Sequence, residues 1–139
     1  MESANVGVLD LRAAVSWVRG KNEVTDNPLN SVDPPEAVLG IDLSRGRLQV
    51  QFTGTFVRRK QRVDDPDAEL FRTPGYAVFD VTVGYKITQH LDIRAGIFNL
   101  TDRKYWRWSE VRGLDADDPV VEVLSRPGTN VSAALSFHW

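Results

Sequence analysis

The feature that most constrains this chain is a period of two. From about Val6 to Arg19, one parity carries Gly7, Leu9, Leu11, Ala13, Val15 and Trp17, and the other carries Asp10, Arg12 and Ser16. Successive side chains of a strand point to opposite faces, so this is a strand with one apolar side. A helix needs apolar residues three and four apart, and Asp10 and Arg12 interrupt any such stripe. The pattern recurs five more times. Ala37, Leu39, Ile41 and Leu43 share a parity, as do Leu48, Val50, Phe52 and Phe56. So do Ala77, Phe79, Val81, Val83, Tyr85 and Ile87; Leu91, Ile93, Ala95 and Ile97; and Val131, Ala133, Leu135, Phe137 and Trp139.

The segments between strands alternate in length. Gly20 to Pro35 is rich in Asn, Asp, Pro and Ser, and Pro34-Pro35 cannot lie inside a central strand. Ser44-Arg45-Gly46-Arg47 is a tight turn with a glycine available for positive φ. A second long loop runs past Asp64-Asp65-Pro66-Asp67 to Thr73-Pro74-Gly75, Thr88-Gln89-His90 is short, and a third long loop runs from about Thr101 to Gly128. The expected fold class is all-β, with six antiparallel up-and-down strands, short turns at one end and long loops at the other.

Two architectures share that alternation. A membrane barrel puts the apolar parity toward lipid and the charged parity toward a wet lumen. A lipocalin-type ligand-binding barrel or a sandwich puts the apolar parity inside. Strand length, the charged face (Asp10, Arg12, Asp42, Asp80, Lys86, Asp92, Arg94) and aromatics near strand ends favour the membrane. Those aromatics are Trp17, Tyr85, Tyr105, Trp106, Trp108, Phe137 and Trp139.

Composition removes other classes. Seventeen basic against nineteen acidic residues give a net charge of −2, which rules out a strongly basic nucleic-acid surface, though not a local basic patch. With no cysteine there is no disulfide scaffold, thiolate metal site or thiol nucleophile. No apolar run reaches the roughly eighteen residues of a spanning helix. The N-terminus carries no signal-peptide pattern.

The stretch Gly96-Ile97-Phe98-Asn99-Leu100-Thr101-Asp102-Arg103-Lys104-Tyr105-Trp106 resembles the penultimate strand and following loop of TonB-dependent outer-membrane receptors. Val131 to Trp139 resembles that family's last strand, and Pro34-Pro35 and Arg72-Thr73-Pro74-Gly75-Tyr76 resemble its strand openings. Trp106 to Leu114 is similar to the subgroup that takes up haem, or iron from haemoglobin and transferrin. Thr129 departs from the arginine common after Pro-Gly there.

The resemblance implies that residues 1–139 are the C-terminal fragment of such a barrel, whose family also has a plug domain and about twenty-two strands. No plug domain is visible in the sequence. Isolated, six strands would form an open curved sheet with two edges. The implied function is a share in energy-coupled uptake of iron, haem or a ferric chelate. The implied partners are outer-membrane lipid, the barrel assembly machinery, the transported ligand, and TonB through the plug. The implied location is the bacterial outer membrane. Phe137 and Trp139 then match the terminal signal read by the assembly machinery.

Candidate sites are few. Tyr105, Trp106, Trp108 and Arg112 are the candidate ligand-binding set, able to stack on a flat ligand such as porphyrin and pair with its carboxylates. The aromatics fit an interfacial girdle equally well. His90 and His138, candidates as haem ligands, fall opposite the long loops and read as turn or lumen residues. Asp64, Asp65 and Asp67, and Asp115, Asp117 and Asp118, are possible calcium-binding carboxylates, but they lack the EF-hand pattern and read as solvated loops. Asp10, Asp80 and Asp92 read as lumen charges, not a general acid–base pair. No catalytic residue, cofactor or metal is expected, and a small outer-membrane enzyme is the third alternative.

Overall fold

The structure is a computed structural model that describes residues 7–64 and 69–139. Six strands are present: β1 (Val8–Ser16), β2 (Glu36–Arg45), β3 (Leu48–Val57), β4 (Tyr76–Lys86), β5 (Leu91–Phe98) and β6 (Asn130–Phe137). They form one sheet in the order β1-β2-β3-β4-β5-β6, and every neighbouring pair is antiparallel. The sheet is open, with β1 and β6 at its edges. The strand at the N-terminus is shorter than its alternation suggests, and Val6 lies outside the described residues.

One register runs unbroken across the sheet. Leu11 faces Ile41, Ile41 faces Phe52, Phe52 faces Val81, Val81 faces Ile97 and Ile97 faces Val131. The next row runs Leu9, Leu43, Val50, Val83, Ala95 and Ala133. Because the side-chain period is two, each row that starts apolar stays apolar, and a slip by one residue would turn that strand inside out. The opposite face carries Asp10, Asp42, Gln51, Thr82, Gly96 and Ser132 in one such row. There Asp10 stands directly opposite Asp42, and Arg12 offsets the Asp42 charge by donating from Nε to its Oδ2 at 2.9 Å.

Nothing among the described residues covers the apolar face. Leu11 is 72% exposed and Leu135 70%, and even on inner strands Ile41 and Ile97 remain above 40%. Gly54 leaves a gap in the middle of the aliphatic surface. Phe56 and Phe79 lie over it, and a Cβ at Gly54 would meet them at 3.2 and 3.3 Å. Phe79 stacks on Phe52 at 5.9 Å and meets Phe56 edge-on at 5.7 Å. An apolar face continuous across six strands, backed by a charged opposite face, is a surface suited to hydrocarbon. No helix among the described residues is long and apolar enough to cross a membrane, so any crossing is by strands.

The buried core lies above the sheet. Its members, Val63, Trp108, Val111 and Val121, with Val78 beneath, belong mostly to the long loops. All three loops emerge at the same end. The opposite end has two tight turns, and in the first Gly46 adopts φ 59°, as the turn anticipates. The third loop holds two helical turns that the alternation pattern does not reveal: α1 (Trp108–Val111) and α2 (Pro119–Val123). The second did carry a local signal. Asp118 caps it, accepting from Val120 N–H at 2.8 Å, and Pro119 opens it.

A lipocalin arrangement would need closure and an enclosed apolar face, and the described residues form neither. Charge should therefore be tolerated on one face only. Val81→Arg, in the middle apolar row, should cost about 2–4 kcal/mol in lipid vesicles, whereas Thr53→Arg on the polar face should cost under about 1 kcal/mol. Denaturant unfolding of the membrane-inserted protein measures both, and equal costs would reverse the assignment of faces.

Candidate functional site

The third loop begins with a clamp. Asn99, buried and at φ 53°, uses its whole amide. Its Nδ2 donates to the carbonyls of Arg103 (2.8 Å) and Pro127 (3.1 Å), and its Oδ1 accepts from Arg103 N–H at 2.8 Å. Its backbone N–H donates to Asp80 Oδ1 at 2.8 Å, and its carbonyl accepts from the Thr129 hydroxyl at 2.7 Å. Asparagine suits the place because it tolerates the left-handed region and offers donor and acceptor together. Asp102, at φ 50°, accepts from Thr129 N–H at 2.8 Å. Its carboxylate sits 2.3 Å from where a Cβ of residue 128 would be, which explains Gly128. The Asn-Leu-Thr-Asp motif is thus a staple joining the start of the loop to its end. Thr129, the departure from the resembled pattern, is one of its members.

Beyond the staple the loops pack on one another. Trp108 and Val111, one helical turn apart, both point into the core. Trp108 is 3% exposed and donates its indole N–H to the carbonyl of Asn30 in the first loop at 2.6 Å. Lys60, from the second loop, lies over the Trp108 ring at 4.5 Å and donates to Val32 O at 2.5 Å. Burial pulls the Lys60 ammonium below its ordinary pKa; Asp33 and Asp64 pull it back up, while Arg62 lowers it further. Trp106 donates to Val121 O at 2.7 Å and meets Phe71 edge-on at 5.2 Å. Leu70 bridges to Asp115, and Phe71 N–H donates to Leu114 O at 2.8 Å. Arg126 joins Glu110 at 3.1 Å.

Beneath this layer, on the polar face, lies a cavity of about 420 Å³. Glu36, Tyr76, Asp80, Tyr105, Arg107 and Trp108 are among its walls. Tyr76 and Tyr105 are in ring contact, with centroids 4.3 Å apart.

Of the four sequence-predicted ligand residues, the structure brings Tyr105 and Trp108 to this cavity. Trp106 packs sideways into the loop core, and Arg112 is exposed at the end of α1. The girdle placement does not hold for Tyr105, Trp106 and Trp108, since they belong to the loop layer and both tryptophans spend their N–H groups on backbone carbonyls. Exposed aromatics do stand at strand ends at Trp17, Tyr85, Phe137 and Trp139.

His90 and His138 sit together opposite the loops: His90 Nδ1 is 3.0 Å from His138 O, and His138 Nε2 is 3.4 Å from Asp92. Asp10, Asp80 and Asp92 fall in three different rows on three strands. Asp118 is spent as a cap, Asp65 and Asp67 lie outside the described residues, and among the described residues no three candidate metal ligands converge. The members that alignment of motifs missed are Asn30, Lys60 and Phe71. Nothing local marks them, because their roles exist only across loops.

A meander with an uncovered apolar face, short turns at one end and a packed loop layer at the other is the wall of a transmembrane β-barrel. The family model described as TonB dependent receptor-like, beta-barrel, matches residues 3–100. Hemoglobin-haptoglobin utilization protein B of Neisseria meningitidis serogroup C is 25% identical over 114 residues, covering 72% of this chain and 14% of the relative. Hemoglobin-binding protein A of Haemophilus influenzae is 27% identical over 136 residues, 81% of this chain and 13% of the relative. Transferrin-binding protein A of Neisseria meningitidis serogroup B is 28% identical over 116 residues, 76% and 13%.

Among solved structures, the copper transporter OprC superposes with a TM-score of 0.81 at 22% identity, over 94% of this chain and 21% of that one. The ferric enterobactin receptor PfeA of Pseudomonas aeruginosa gives 0.73 at 18%, over 99% and 20%. The chain belongs to the TonB-dependent receptor β-barrel family, whose place is the outer membrane. It spans less than a quarter of the length of each of these proteins. The similar proteins are named as utilization and binding proteins, a transporter and a receptor.

Two outcomes follow for the loop layer. Asn99→Ala strips three hydrogen bonds from a buried site and puts alanine, which tolerates the left-handed region less well than asparagine, at φ 53°. It should cost about 2–4 kcal/mol, with raised hydrogen exchange confined to residues 99–129. Asn99→Gly should recover only about 1 kcal/mol of that. For Lys60, the folded pKa lies below the unfolded value of 10.5. Between the two, the unfolded chain holds a proton that the folded chain has released, so Lys60 makes stability rise with pH through that window. Denaturant midpoints of the wild type and Lys60→Gln across the alkaline range measure this, and the rise should be missing in the variant.

Proposed function

We propose that this chain supplies barrel wall and outer loops to a receptor that takes up iron, as haem, as a ferric chelate or from a haem- or iron-carrying host protein, with energy delivered through TonB. The observation that carries it is the agreement of the family with the names of the similar proteins, which describe binding of haemoglobin, haptoglobin complexes and transferrin. The barrel itself performs no covalent step. In this reading residues 1–139 are the C-terminal part of the barrel, and a plug domain elsewhere in the protein contacts TonB. Phe137 and Trp139, exposed at the end of the last strand with ring centroids 6.4 Å apart, serve as the signal for the barrel assembly machinery.

Within the third loop, Tyr105 and Arg112 are the proposed ligand contacts. Tyr105 presents a phenol to the cavity, and the exposed guanidinium of Arg112 suits a propionate or other carboxylate. Trp106 and Trp108 act by holding the loop that presents them.

Deleting the gene should abolish growth on at least one of haem, haemoglobin, transferrin or a ferric chelate as sole iron source, with growth restored by soluble inorganic iron. Unchanged growth on all four would overturn the proposal. On cells displaying equal amounts of receptor, Arg112→Ala should weaken ligand binding about tenfold.

A further inference from the structure

The apolar face does not end at the last strand residue. Val15 faces Ala37, and Ala37 faces Phe56. One step further toward the loops the same parity brings Trp17, Pro35 and Arg58, and Arg58 N–H still donates to Pro35 O at 2.9 Å. So the row above the aliphatic surface holds an exposed tryptophan and an arginine. Arg19 follows Trp17 with its guanidinium 4.8 Å from the indole centroid.

Around this row lies a recess of about 110 Å³ whose apolar lining includes Val18, Leu29 and Pro34. Its charged lining is Arg19, Arg58, Arg59, Lys60 and Arg62, against the single carboxylate of Asp33. Arg19 and Arg62 also wall an adjoining recess with Lys21. In a chain of net charge −2 this is a marked local excess of positive charge. Lys60 is spent on Val32 and Trp108, which leaves Arg19, Arg58, Arg59 and Arg62 as the exposed basic residues of the recess.

Three properties coincide here: continuity with the hydrocarbon-facing surface, an aromatic at the boundary, and several guanidinium groups directly above it. A protein ligand of the lumen would approach from the other face. A soluble anion would need no apolar lining or adjoining aliphatic wall. An acylated lipid whose headgroup bears phosphate matches all three, with chains along Val15 and Phe56 and phosphate oxygens at the arginines. We propose that Arg19, Arg58 and Arg62, with Trp17, form a site for a phosphorylated lipid headgroup of the leaflet on the loop side of the membrane. The inference rests on the lipid-facing surface and is independent of which iron source the receptor takes.

The test uses the full outer-membrane protein that carries this chain, purified in detergent and titrated with bis-phosphorylated lipid A by native mass spectrometry. Binding should be saturable, and Arg19→Ala/Arg58→Ala/Arg62→Ala should weaken it at least about tenfold. The corresponding triple lysine variant should keep most of it, and Lys86→Ala/Arg94→Ala, on the polar face of β4 and β5, should leave it unchanged. Heat-modifiable electrophoretic mobility reports whether each variant is folded. If the alanine variant misfolds, the single charge reversal Arg58→Glu, which should also weaken binding, takes its place. Equal binding by the folded variant, or equal binding of lipid A lacking both phosphates, would overturn the proposal. Competition by inorganic phosphate at low millimolar concentration would assign the site to a free anion and overturn it as well.

Discussion

Everything in this structure depends on one constraint: inside hydrocarbon, a backbone N–H or C=O has no water to turn to. Each strand must therefore spend its polar backbone on its neighbours, which forces a continuous antiparallel ladder from β1 to β6. Once the ladder is fixed, side chains have only two directions. The alternation of apolar and polar residues is the consequence. The same register that satisfies the backbone aligns Leu11 with Val131 through four intervening strands. The polar face is then free to carry charge, and the Asp10–Asp42 juxtaposition is tolerated because Arg12 reaches across to it.

This also explains why sequence identity of 18–22% accompanies TM-scores of 0.73–0.81. A lipid-facing position asks only for an apolar side chain, since hydrocarbon presents no shaped pocket to fill. Leu, Ile, Val and Phe are interchangeable there to a degree that a close-packed interior would not permit. Identity is demanded where geometry is special. Asn99 must combine a left-handed backbone with an amide, and Gly128 must leave room for Asp102.

The strands were legible for the same reason. Period two is a local signal, and six repeats of it with alternating connection lengths leave little freedom in topology. The site was only partly legible. Tyr105, Trp106, Trp108 and Arg112 stood out by composition, but composition does not separate a tryptophan on a surface from one buried beneath a lysine from another loop. The partners of Trp108 are Asn30 and Lys60, far away in sequence, and neither residue type announces a contact. The helical turns at Trp108 and Pro119 are short, and only the second has a cap that could have marked it.

The buried core of this chain lies in its loops, a reversal of the usual order for a β-sheet protein. Loops that share one core do not vary one at a time. A foreign third loop would bring no indole for Asn30 and no ring for Lys60, and would leave a carbonyl and an ammonium stranded in the first two. The three segments therefore fit one another as a set: a change at the inner face of one is felt by the other two, and through Asp80 and Val78 by the wall beneath them.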